Sequence, residues 1–429
     1  MWIINLLSAC LTVTIGAIFL FRLWFFFIFH PIKCLSKTLR LLSDRTRRRT
    51  LLLALAGTLG VGNIYGVALG IMIGGEGCVF WLFISSFFAM AVKYSESALS
   101  VLSGSHGRGM MIPIKDSFGK MGDFASTIYC VAMLFLSLFM GGFIQADSFI
   151  TSATYLFSVD KFIIALTFLI PVILVMVGGG IKIKSATETL IPMATVFYVI
   201  LSLIVIIKDV SKLSSVLIGI ITSAFTPTSM ILGCIPVISY TAISQGFARG
   251  LLSNEAGAGS SAMAHSEEDG DAFGAGLFGI LEIVFDTNLL CTLTALVILC
   301  EVESPTSAPS PMALVFSAFR SGAGEWSLFP LLLCIALFAY STVICWYYYG
   351  LSSLAYLRLD RSAFVYAIAF CIFLFSPSFL DSIGAVYISD LLLLIMSFFT
   401  LFSLLKNRKS IEDLTASSGI FSGKIKWIF

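Results

Sequence analysis

The chain consists largely of long apolar runs separated by short segments that contain charge, glycine or proline. The first run covers residues 2–29, and ten more follow at 50–74, 78–103, 122–150, 161–180, 187–207, 213–250, 273–300, 326–357, 363–377 and 383–405. Most have the length of about 20 residues that an α-helix needs to cross a bilayer. Charged residues make up 12% of the chain, against about a quarter in soluble domains. The sequence therefore predicts an all-α integral membrane protein with about 11 transmembrane helices, and it excludes a water-soluble main body.

Residues that commonly carry catalysis or hold metals are scarce and dispersed. The ten cysteines stand singly, without a Cys-x-x-Cys pair, and the chain has three histidines. A structural zinc site needs such residues at close and regular spacing. The 26 basic and 24 acidic residues nearly cancel, so no overall charge favours a nucleic-acid partner. We expect no catalytic residue, no cofactor, no nucleic acid and no obligate protein partner, with the lipid bilayer as the main surroundings.

The distribution of lysine and arginine among the connections predicts the orientation. Residues 31–49 form a dense basic linker, and most other basic residues, including Arg249 and those of the tail at 406–429, fall in connections on the same side. Connections of this kind stay in the cytoplasm. The N-terminal transmembrane helix at 1–30 therefore starts outside and the C-terminus lies inside, in a multi-pass protein of a bacterial-type plasma (inner) membrane. The linker itself is either an interfacial helix on anionic lipid or a solvated basic loop.

The first of the ten later runs is unusually rich in glycine at mid-membrane. Residues 56–66 read Ala-Gly-Thr-Leu-Gly-Val-Gly-Asn-Ile-Tyr-Gly. Glycine weakens a helix, and backbone groups freed in hydrocarbon persist only where they line a cavity. The alternative is close helix packing through small residues on one face. Under the first interpretation the helix is broken, and its substrate-binding residues are Gly57, Thr58, Gly60, Gly62 and Asn63.

A second interruption is expected five spans later. The run at 213–250 is too long for one crossing and contains Phe225, Thr226 and Pro227, followed by Gly233. Interrupted helices at corresponding positions of two halves are typical of transporters with inverted repeats and a binding site at the midplane. We accordingly predict two five-helix repeats, at 50–207 and 213–405, with Phe225 and Thr226 beside the substrate.

A later span places oxygen ligands on one helix face. Ser341 and Thr342 lie three and four positions after Phe338, so that two hydroxyls and one carbonyl can converge. Such oxygens suit an alkali cation, with further carbonyls from the broken helix at Gly57 and Gly60. The alternative is that both hydroxyls bond back to a carbonyl one turn earlier, as serine and threonine often do inside spans.

Two further side chains are suited to a substrate. Trp346, one turn after Thr342, can cover an apolar side chain, and packing or anchoring at the membrane interface is its alternative. Gln145 offers donors and an acceptor to a zwitterion, with hydrogen bonding between helices as the equal alternative.

Ionisable residues inside the membrane are costly, so each needs a partner or a function. Those inside the predicted spans include Lys93, Glu96, Asp147, Glu282 and Asp286. One interpretation is structural pairing, with Glu282 or Asp286 paired to Lys93 or protonated; the other is proton transfer.

The segment at 249–260 is dense in glycine and polar residues. It lacks the spacing of a phosphate-binding loop and no strand precedes it. On the predicted orientation it falls on the cytoplasmic side, so it is interpreted as an inner gate or hinge.

Taken together, these motifs resemble the alanine or glycine:cation symporter (AGCS) family, which comprises sodium:alanine symporters with a LeuT-type fold of five plus five helices and one additional N-terminal helix. The motifs that carry the resemblance occur in order along the chain and are Ala56-Gly57-Thr58, Gly62-Asn63-Ile64, Phe80-Trp81, Lys93-Tyr94, Gln145-Ala146, Ser253-Asn254-Glu255-Ala256-Gly257, Asp286-Thr287, Phe338-Ala339, Ser341-Thr342 and Trp346. The Ser253–Gly257 motif and the glycine-rich break are together specific to this family. Leu232-Gly233-Cys234 departs from its usual paired glycines, which bears on substrate choice.

The resemblance implies a secondary active transporter that imports a small neutral amino acid (alanine, D-alanine or glycine) by symport with Na⁺. It implies that amides of the broken helix bind the substrate carboxylate and that Asn63, Gln145 and Trp346 lie near the amino acid. It also implies that Na⁺ lies between the carbonyls of Gly57 and Gly60 and the hydroxyls of Ser341 and Thr342. A proton-coupled symporter is the nearest alternative, followed by a non-transporting membrane sensor or an intramembrane enzyme.

Overall fold

The computed structural model describes residues 2–23, 25–225, 227–231, 235–238, 240–267 and 270–420. Its α-helices are α1 (Trp2–Arg22), α2 (Phe26–Phe29), α3 (Pro31–Leu41), α4 (Arg45–Thr58), α5 (Gly62–Gly74), α6 (Gly77–Leu102), α7 (Met111–Phe118), α8 (Gly122–Leu136), α9 (Gln145–Phe157), α10 (Lys161–Met176), α11 (Gly179–Lys208), α12 (Val210–Phe225), α13 (Tyr240–Asn254), α14 (Ala262–His265), α15 (Ala272–Ile283), α16 (Thr292–Glu301), α17 (Pro311–Ala323), α18 (Leu328–Tyr356), α19 (Ala363–Phe375), α20 (Ile383–Lys406) and α21 (Arg408–Ser417). Two π-helical stretches, Ser137–Ile144 and Val284–Cys291, join α8 to α9 and α15 to α16. Strands β1 (Pro227–Ile231) and β2 (Ile235–Ile238) pair antiparallel between α12 and α13.

The described helices form a multi-span membrane bundle. Eight helical stretches in the described ranges are long and apolar enough to cross a bilayer, and three shorter apolar helices accompany them. Large apolar side chains such as Ile170, Ile200 and Phe364 are exposed on the outside of the bundle. Such a surface needs lipid around it, because a soluble protein rarely exposes extended apolar patches. The predicted all-α membrane architecture is confirmed.

Helix α6 lies at the centre of the bundle, where α13 and α15 approach it closely. A Cβ atom at Gly246 of α13 would lie 2.5 Å from the carbonyl oxygen of Cys78, and one at Gly279 of α15 would lie 2.6 Å from that of Lys93. Glycine at these two contacts lets the helix backbones meet, as is common between membrane helices. Helix α1 packs on α6 in the same way, with Gly16 against Phe88.

The two ends of the bundle differ in charge. We call the end where α4 begins the basic side, because Arg45, Arg48 and Arg49 lie there and pair with Glu188. Helix α5 ends at Gly74 on the opposite side.

The basic linker contains α3, whose side chains Ile32, Leu35 and Leu39 are exposed along one face. A basic helix with an exposed apolar face fits the interfacial interpretation better than a solvated loop.

The predicted span at 213–250 is not a single crossing in the structure. At the start of α12, the side chain of Asp209 lies next to that of Glu301, and near its end the oxygen of Ala224 accepts a bond from Trp81 Nε1 (3.2 Å). Glu301 ends α16 and Trp81 lies near the start of α6, both toward the opposite side, so α12 lies along that side rather than crossing.

The crossing belongs to α13, whose first turn places Thr241 beside Gly74 and whose later part places Arg249 beside Gly70. Arg249, predicted in a cytoplasmic connection, therefore lies between the membrane centre and the opposite side. The prediction for Arg249 was wrong because the run at 213–250, which includes α12, was taken as a span that ends at residue 250.

Candidate functional site

The break predicted in the glycine-rich span is present between α4 and α5. Helix α4 ends at Thr58 and α5 begins at Gly62, leaving Leu59, Gly60 and Val61 outside regular helix. The amide of Val61 donates to Gln145 Oε1 at 3.1 Å. Gln145 is held there because it begins α9, directly after a π-helical stretch, and such stretches often occur at functional sites. The break is thus capped by a side chain from another helix.

Helix α18 presents hydrogen-bond donors to the same break. Thr342 Oγ1 donates to the Leu59 oxygen at 3.3 Å, and Trp346 Nε1 donates to the Gly57 oxygen at 3.2 Å. Both side chains are fully buried. Gly60 fits closely between Thr342 and Gln145, since a Cβ atom there would lie 3.0 Å from both Gln145 Oε1 and Thr342 Oγ1.

The predicted cation ligands on α18 separate into two groups. Ser341 Oγ bonds back to the oxygens of Leu337 (2.8 Å) and Phe338 (3.0 Å), which is the alternative considered for it. Thr342 instead reaches across to the broken helix. A cation at the break would therefore meet the Thr342 hydroxyl first, with the carbonyl oxygen of Leu59 beside it.

A second interruption, at residues 255–261, lies between α13 and α14. The run at 213–250 is also interrupted where the sequence predicts it, since α12 ends at Phe225 and strand β1 follows at Pro227–Ile231. Glu255, Gly257 and Gly259 have positive φ values of 54°, 98° and 72°. Residues with this backbone conformation cannot continue a right-handed helix. This segment is buried rather than exposed at a surface, with Glu255 3% and Ala258 1% accessible. The segment is therefore buried in the bundle rather than exposed as a surface loop, because α13 leads into the bundle interior; its function as an inner gate or hinge stays a prediction.

Side chains from several helices hold this second interruption. The amide of Gly257 donates to Glu96 Oε1 at 2.8 Å, and Tyr129 OH donates to the Ala258 oxygen at 2.9 Å. Ser260 Oγ donates to Glu255 Oε2. Backbone groups inside a membrane protein require partners of this kind. The interruption is therefore a defined part of the core, held in place by these hydrogen bonds.

Asp286 connects the two interruptions. Asn63, directly after the first, donates from Nδ2 to Asp286 Oδ1 at 2.6 Å, and Ser253, directly before the second, lies 3.2 Å from both carboxylate oxygens. Asp286 belongs to the π-helical stretch Val284–Cys291. Asn63, predicted beside the substrate, thus bonds to an acidic side chain of another helix.

The buried ionisable residues nearer the basic side form a paired network. Lys93 Nζ lies 3.4 Å from Glu282 Oε2 and donates to Ser261 Oγ at 2.7 Å. His265 Nε2 bonds to the other oxygen of Glu282. The predicted pairing of Lys93 with one of the two carboxyls is confirmed for Glu282, which leaves Asp286 outside this network.

The structure brings most of the sequence-predicted site residues together. Those at or next to the break, or bonded to it, are Gly57, Thr58, Gly60, Gly62, Asn63, Gln145, Thr342 and Trp346. Phe338 and Ser341 lie within one turn before Thr342 on α18 and bond to each other rather than to the break. Phe225 is not among them, since its ring packs on Phe80 and Trp81 (centroids 5.0 and 5.7 Å) and is 47% exposed. Thr226 and Gly233 lie outside the described residues.

Comparisons with known proteins agree with this architecture. The sequence profile of the sodium:alanine symporter family matches residues 1–416. The chain belongs to the sodium:alanine symporter family. As a member of this family it is a transporter rather than an enzyme, and sodium-coupled amino-acid symport is the activity of the family.

Relatives of this family member occur in archaea and bacteria. The sodium/alanine symporter AgcS of Methanococcus maripaludis is 31% identical over 348 residues, covering 77% of this chain and 75% of AgcS. An uncharacterized transporter of Haemophilus influenzae is 28% identical over 372 residues, covering 84% and 81%. The amino-acid carrier protein AlsT of Bacillus subtilis is 27% identical over 318 residues, covering 72% and 66%.

Solved structures show the same fold at low sequence identity. The crystal structure of MhsT in complex with L-phenylalanine has a TM-score of 0.56 and 13% identity, covering 87% of this chain and 97% of MhsT. The crystal structure of a mutant of the Eremococcus coleocola manganese transporter has a TM-score of 0.52 and 16% identity, covering 82% and 75%. The family member described here therefore has a LeuT-like fold, as the sequence predicts.

Proposed function

We propose that the protein imports a small neutral amino acid, such as alanine, D-alanine or glycine, across the bacterial plasma membrane by symport with Na⁺. The proposal rests on the helix break at Leu59–Val61. In this break the Val61 amide and the Leu59 carbonyl face two different side chains. Val61 N–H points to Gln145, and the Leu59 oxygen points to Thr342. One break thereby offers a donor for an anion and an acceptor for a cation.

The donor side of the break suits the substrate carboxylate. The Val61 amide is satisfied by Gln145 Oε1, and a carboxylate is a stronger acceptor than a neutral carboxamide. The carboxylate takes the place of Gln145 Oε1, and the released side chain is then able to bind the amino group. The close fit of Gly60 against Gln145 and Thr342 leaves little room, which favours a small amino acid.

The acceptor side of the break suits sodium. The hydroxyl of Thr342 and the carbonyls near it are uncharged oxygens, of the kind that bind hard cations. Transport follows if the ion binds the outward-open state more tightly than the inward-open one, because equal affinity shifts no equilibrium. With the basic side in the cytoplasm, the N-terminus of α1 is outside and α21 is inside.

Uptake into proteoliposomes tests the proposal. Radiolabelled alanine and glycine are supplied with an inward Na⁺ gradient, an equal choline gradient or an imposed pH gradient. We expect accumulation with sodium alone. Uptake that follows the pH gradient without sodium would instead support the proton-coupled alternative, and no accumulation of either amino acid would contradict the substrate assignment.

Two variants test the site within the same assay. Thr342→Ala is expected to weaken the sodium dependence, because it removes the hydroxyl beside the Leu59 oxygen. Thr167→Ala is the matched control, since the Thr167 hydroxyl lies on α10 and bonds back to Ile164 at 2.7 Å. Equal sodium dependence in the two variants would contradict the role of Thr342.

A further inference from the structure

A cavity of about 380 Å³ lies between α7, the first turns of α8 and the end of α18. Its charged lining consists of three cations and one carboxylate, from Arg108, Lys115, Arg358 and Asp123. Neither the helix break nor the second interruption contributes a lining residue. The cavity is therefore separate from the candidate site described above.

The cavity lies on the basic side of the bundle. Tyr348, two turns before Tyr356 in α18, bonds to Glu267. The other oxygen of Glu267 pairs with Lys184 (2.6 Å), one turn before Glu188 on α11. Glu188 belongs to the ion pairs that define the basic side. The end of α18 and the cavity beside it therefore lie at this side, which faces the cytoplasm in the proposed orientation.

The positive charge of the lining is only partly balanced. Lys115 Nζ pairs with Asp123 Oδ1 at 2.6 Å. Arg108 and Arg358 are exposed and form no ion pair with any of the described residues. Like charges around one cavity repel each other, and an anion between them lowers the energy of both. The lining therefore favours a negatively charged ligand.

Arg358 occupies a backbone position at which glycine is the usual residue. Its φ is 59°. Helix α18 closes with the two hydrogen bonds of a Schellman motif, from the Arg358 amide to the Ala355 oxygen (3.1 Å) and from the Leu359 amide to the Leu354 oxygen (2.9 Å). Glycine is common at this point because a Cβ atom strains the left-handed conformation. A cation also favours the end of a helix, but a residue of the last turn would supply it without strain. The strain at Arg358 thus indicates a function for its side chain.

The exposed face of α8 leads from the cavity into the hydrocarbon. Thr127 lines the cavity, and Phe124, Val131 and Phe135 follow at spacings of three and four residues on the same face. All three apolar side chains are exposed, Phe124 by 62% and Phe135 by 47%. This stripe suits acyl chains, so a ligand that carries acyl chains beside a negative charge fits both surfaces. Basic pockets between membrane helices on the cytoplasmic side are suited to phospholipid headgroups.

We propose that this cavity binds the phosphate group of an anionic phospholipid of the cytoplasmic leaflet, with Arg108, Lys115 and Arg358 as its cations. A guanidinium group can hold two phosphate oxygens at once, and the Lys115 ammonium adds a point charge. The acyl chains lie along the exposed face of α8. The site goes beyond the proposed function, because it contains neither the substrate nor the sodium position.

A headgroup in this cavity joins two moving parts of the bundle. Arg108 lies between Gly107 and Gly109, whose amides donate to the Ser266 main-chain oxygen (2.7 Å) and to Ser266 Oγ (2.9 Å). Ser266 directly follows α14, and Arg358 follows the end of α18. The bound lipid therefore fastens the loop that holds α14 to the end of α18.

Native mass spectrometry of the purified, delipidated full-length protein measures the binding of single lipids. The titrants are phosphatidylglycerol, which is anionic, and phosphatidylcholine, which carries a phosphate without net charge. We expect phosphatidylglycerol to bind more tightly, and Arg358→Gly and Arg108→Gln each to lower its affinity about 5-fold. Arg361→Gln is the matched control, because Arg361 is an exposed arginine of the same connection that does not line the cavity.

Thermal unfolding without lipid separates binding from a structural effect. Arg358→Gly should melt at or above the wild-type temperature, because glycine relieves the strain at this position. A lower melting temperature, with unchanged affinity for phosphatidylglycerol, would show that Arg358 only stabilises the end of α18 and would refute the site.

The remaining outcomes each decide the proposal. An equal loss of affinity in Arg358→Gly and Arg361→Gln would refute it, since binding would then follow the overall surface charge. Equal affinities for the two lipids would also refute it. Glycerol 3-phosphate is the soluble titrant; if it binds as tightly as phosphatidylglycerol and depends on the same arginines, the lipid assignment is refuted. Unchanged affinity in Arg108→Gln would contradict the ligand set even if Arg358→Gly failed to fold. None of these measurements depends on transport, so failure of amino-acid uptake leaves them valid.

Discussion

The substitution Gly60→Ala tests whether the helix break is the functional centre. Gly60 is absent from the glycines with positive φ, so its backbone accepts alanine without strain, and the effect arises from space. The new Cβ atom would lie 3.0 Å from Gln145 Oε1 and from Thr342 Oγ1. This separation is tighter than ordinary van der Waals contact, so each side chain must retreat by a few tenths of an ångström.

The retreat acts on the two hydrogen bonds that hold the break. Gln145 Oε1 accepts from the Val61 amide at 3.1 Å, and Thr342 Oγ1 donates to the Leu59 oxygen at 3.3 Å. Of the two side chains, Thr342 is the one assigned to sodium, so its displacement weakens one neutral contact of the ion. Losing one such contact costs about 1 kcal/mol, which is roughly a 5-fold change in an equilibrium constant.

We therefore expect the sodium concentration for half-maximal uptake to rise roughly 5-fold in Gly60→Ala, with the protein still inserted and monodisperse. Sodium-dependent alanine uptake in proteoliposomes measures it. Gly66→Ala is the control, because a Cβ atom at Gly66 would meet nothing within 4 Å and alanine favours the helix. Wild-type sodium dependence in Gly60→Ala, or an equal loss in Gly66→Ala, would refute the reasoning.

Two further predictions concern stability rather than transport. Lys93→Met leaves Glu282 without its ammonium partner in the core, which should cost about 3–5 kcal/mol. Lys115→Met, at an exposed ion pair with Asp123, should change stability far less. Thermal unfolding in detergent compares the two variants, and similar melting temperatures would contradict the burial argument. Gly246→Ala forces a Cβ atom to 2.5 Å from the Cys78 oxygen and should destabilise the bundle by about 1–3 kcal/mol through overpacking; an unchanged melting temperature would show that α13 and α6 can separate freely.

The sequence was informative where its signal was local and strong. Apolar runs of spanning length indicated the helical membrane fold, because hydrocarbon leaves the backbone few other choices. Four glycines within ten residues marked the first break, and the structure interrupts the helix between Thr58 and Gly62. Ser341 and Thr342 could not be separated by sequence, since the direction of a hydroxyl depends on which carbonyl lies nearer.

The buried interruption at 255–261 was not recognised in the sequence for a physical reason. Phe225 precedes a proline-containing segment, which indicates a broken helix, whereas residues 255–261 are polar and read as a surface loop. The polar character is satisfied from within the bundle by Glu96, Tyr129 and Lys93, and no local pattern reveals such partners. The alternation of Gly257 and Gly259 after Ser-Asn-Glu was the signal available, because two nearby glycines allow the positive φ values observed.

Helix α1 contributes directly to the second interruption. A Cβ atom at Gly257 would lie 2.9 Å from Thr12 Oγ1, so the N-terminal helix forms part of the wall against which this segment rests. Ribosomes deliver the N-terminal part of a chain first, so α1 is made well over two hundred residues before Gly257. Helix α1 is therefore already in the membrane when the second interruption emerges from the ribosome. The order of synthesis thus matches the order in which the two parts must assemble. A chain that begins after α1 would have to fold this loop without its support, which makes the N-terminal helix a part of the assembly pathway as well as of the finished bundle.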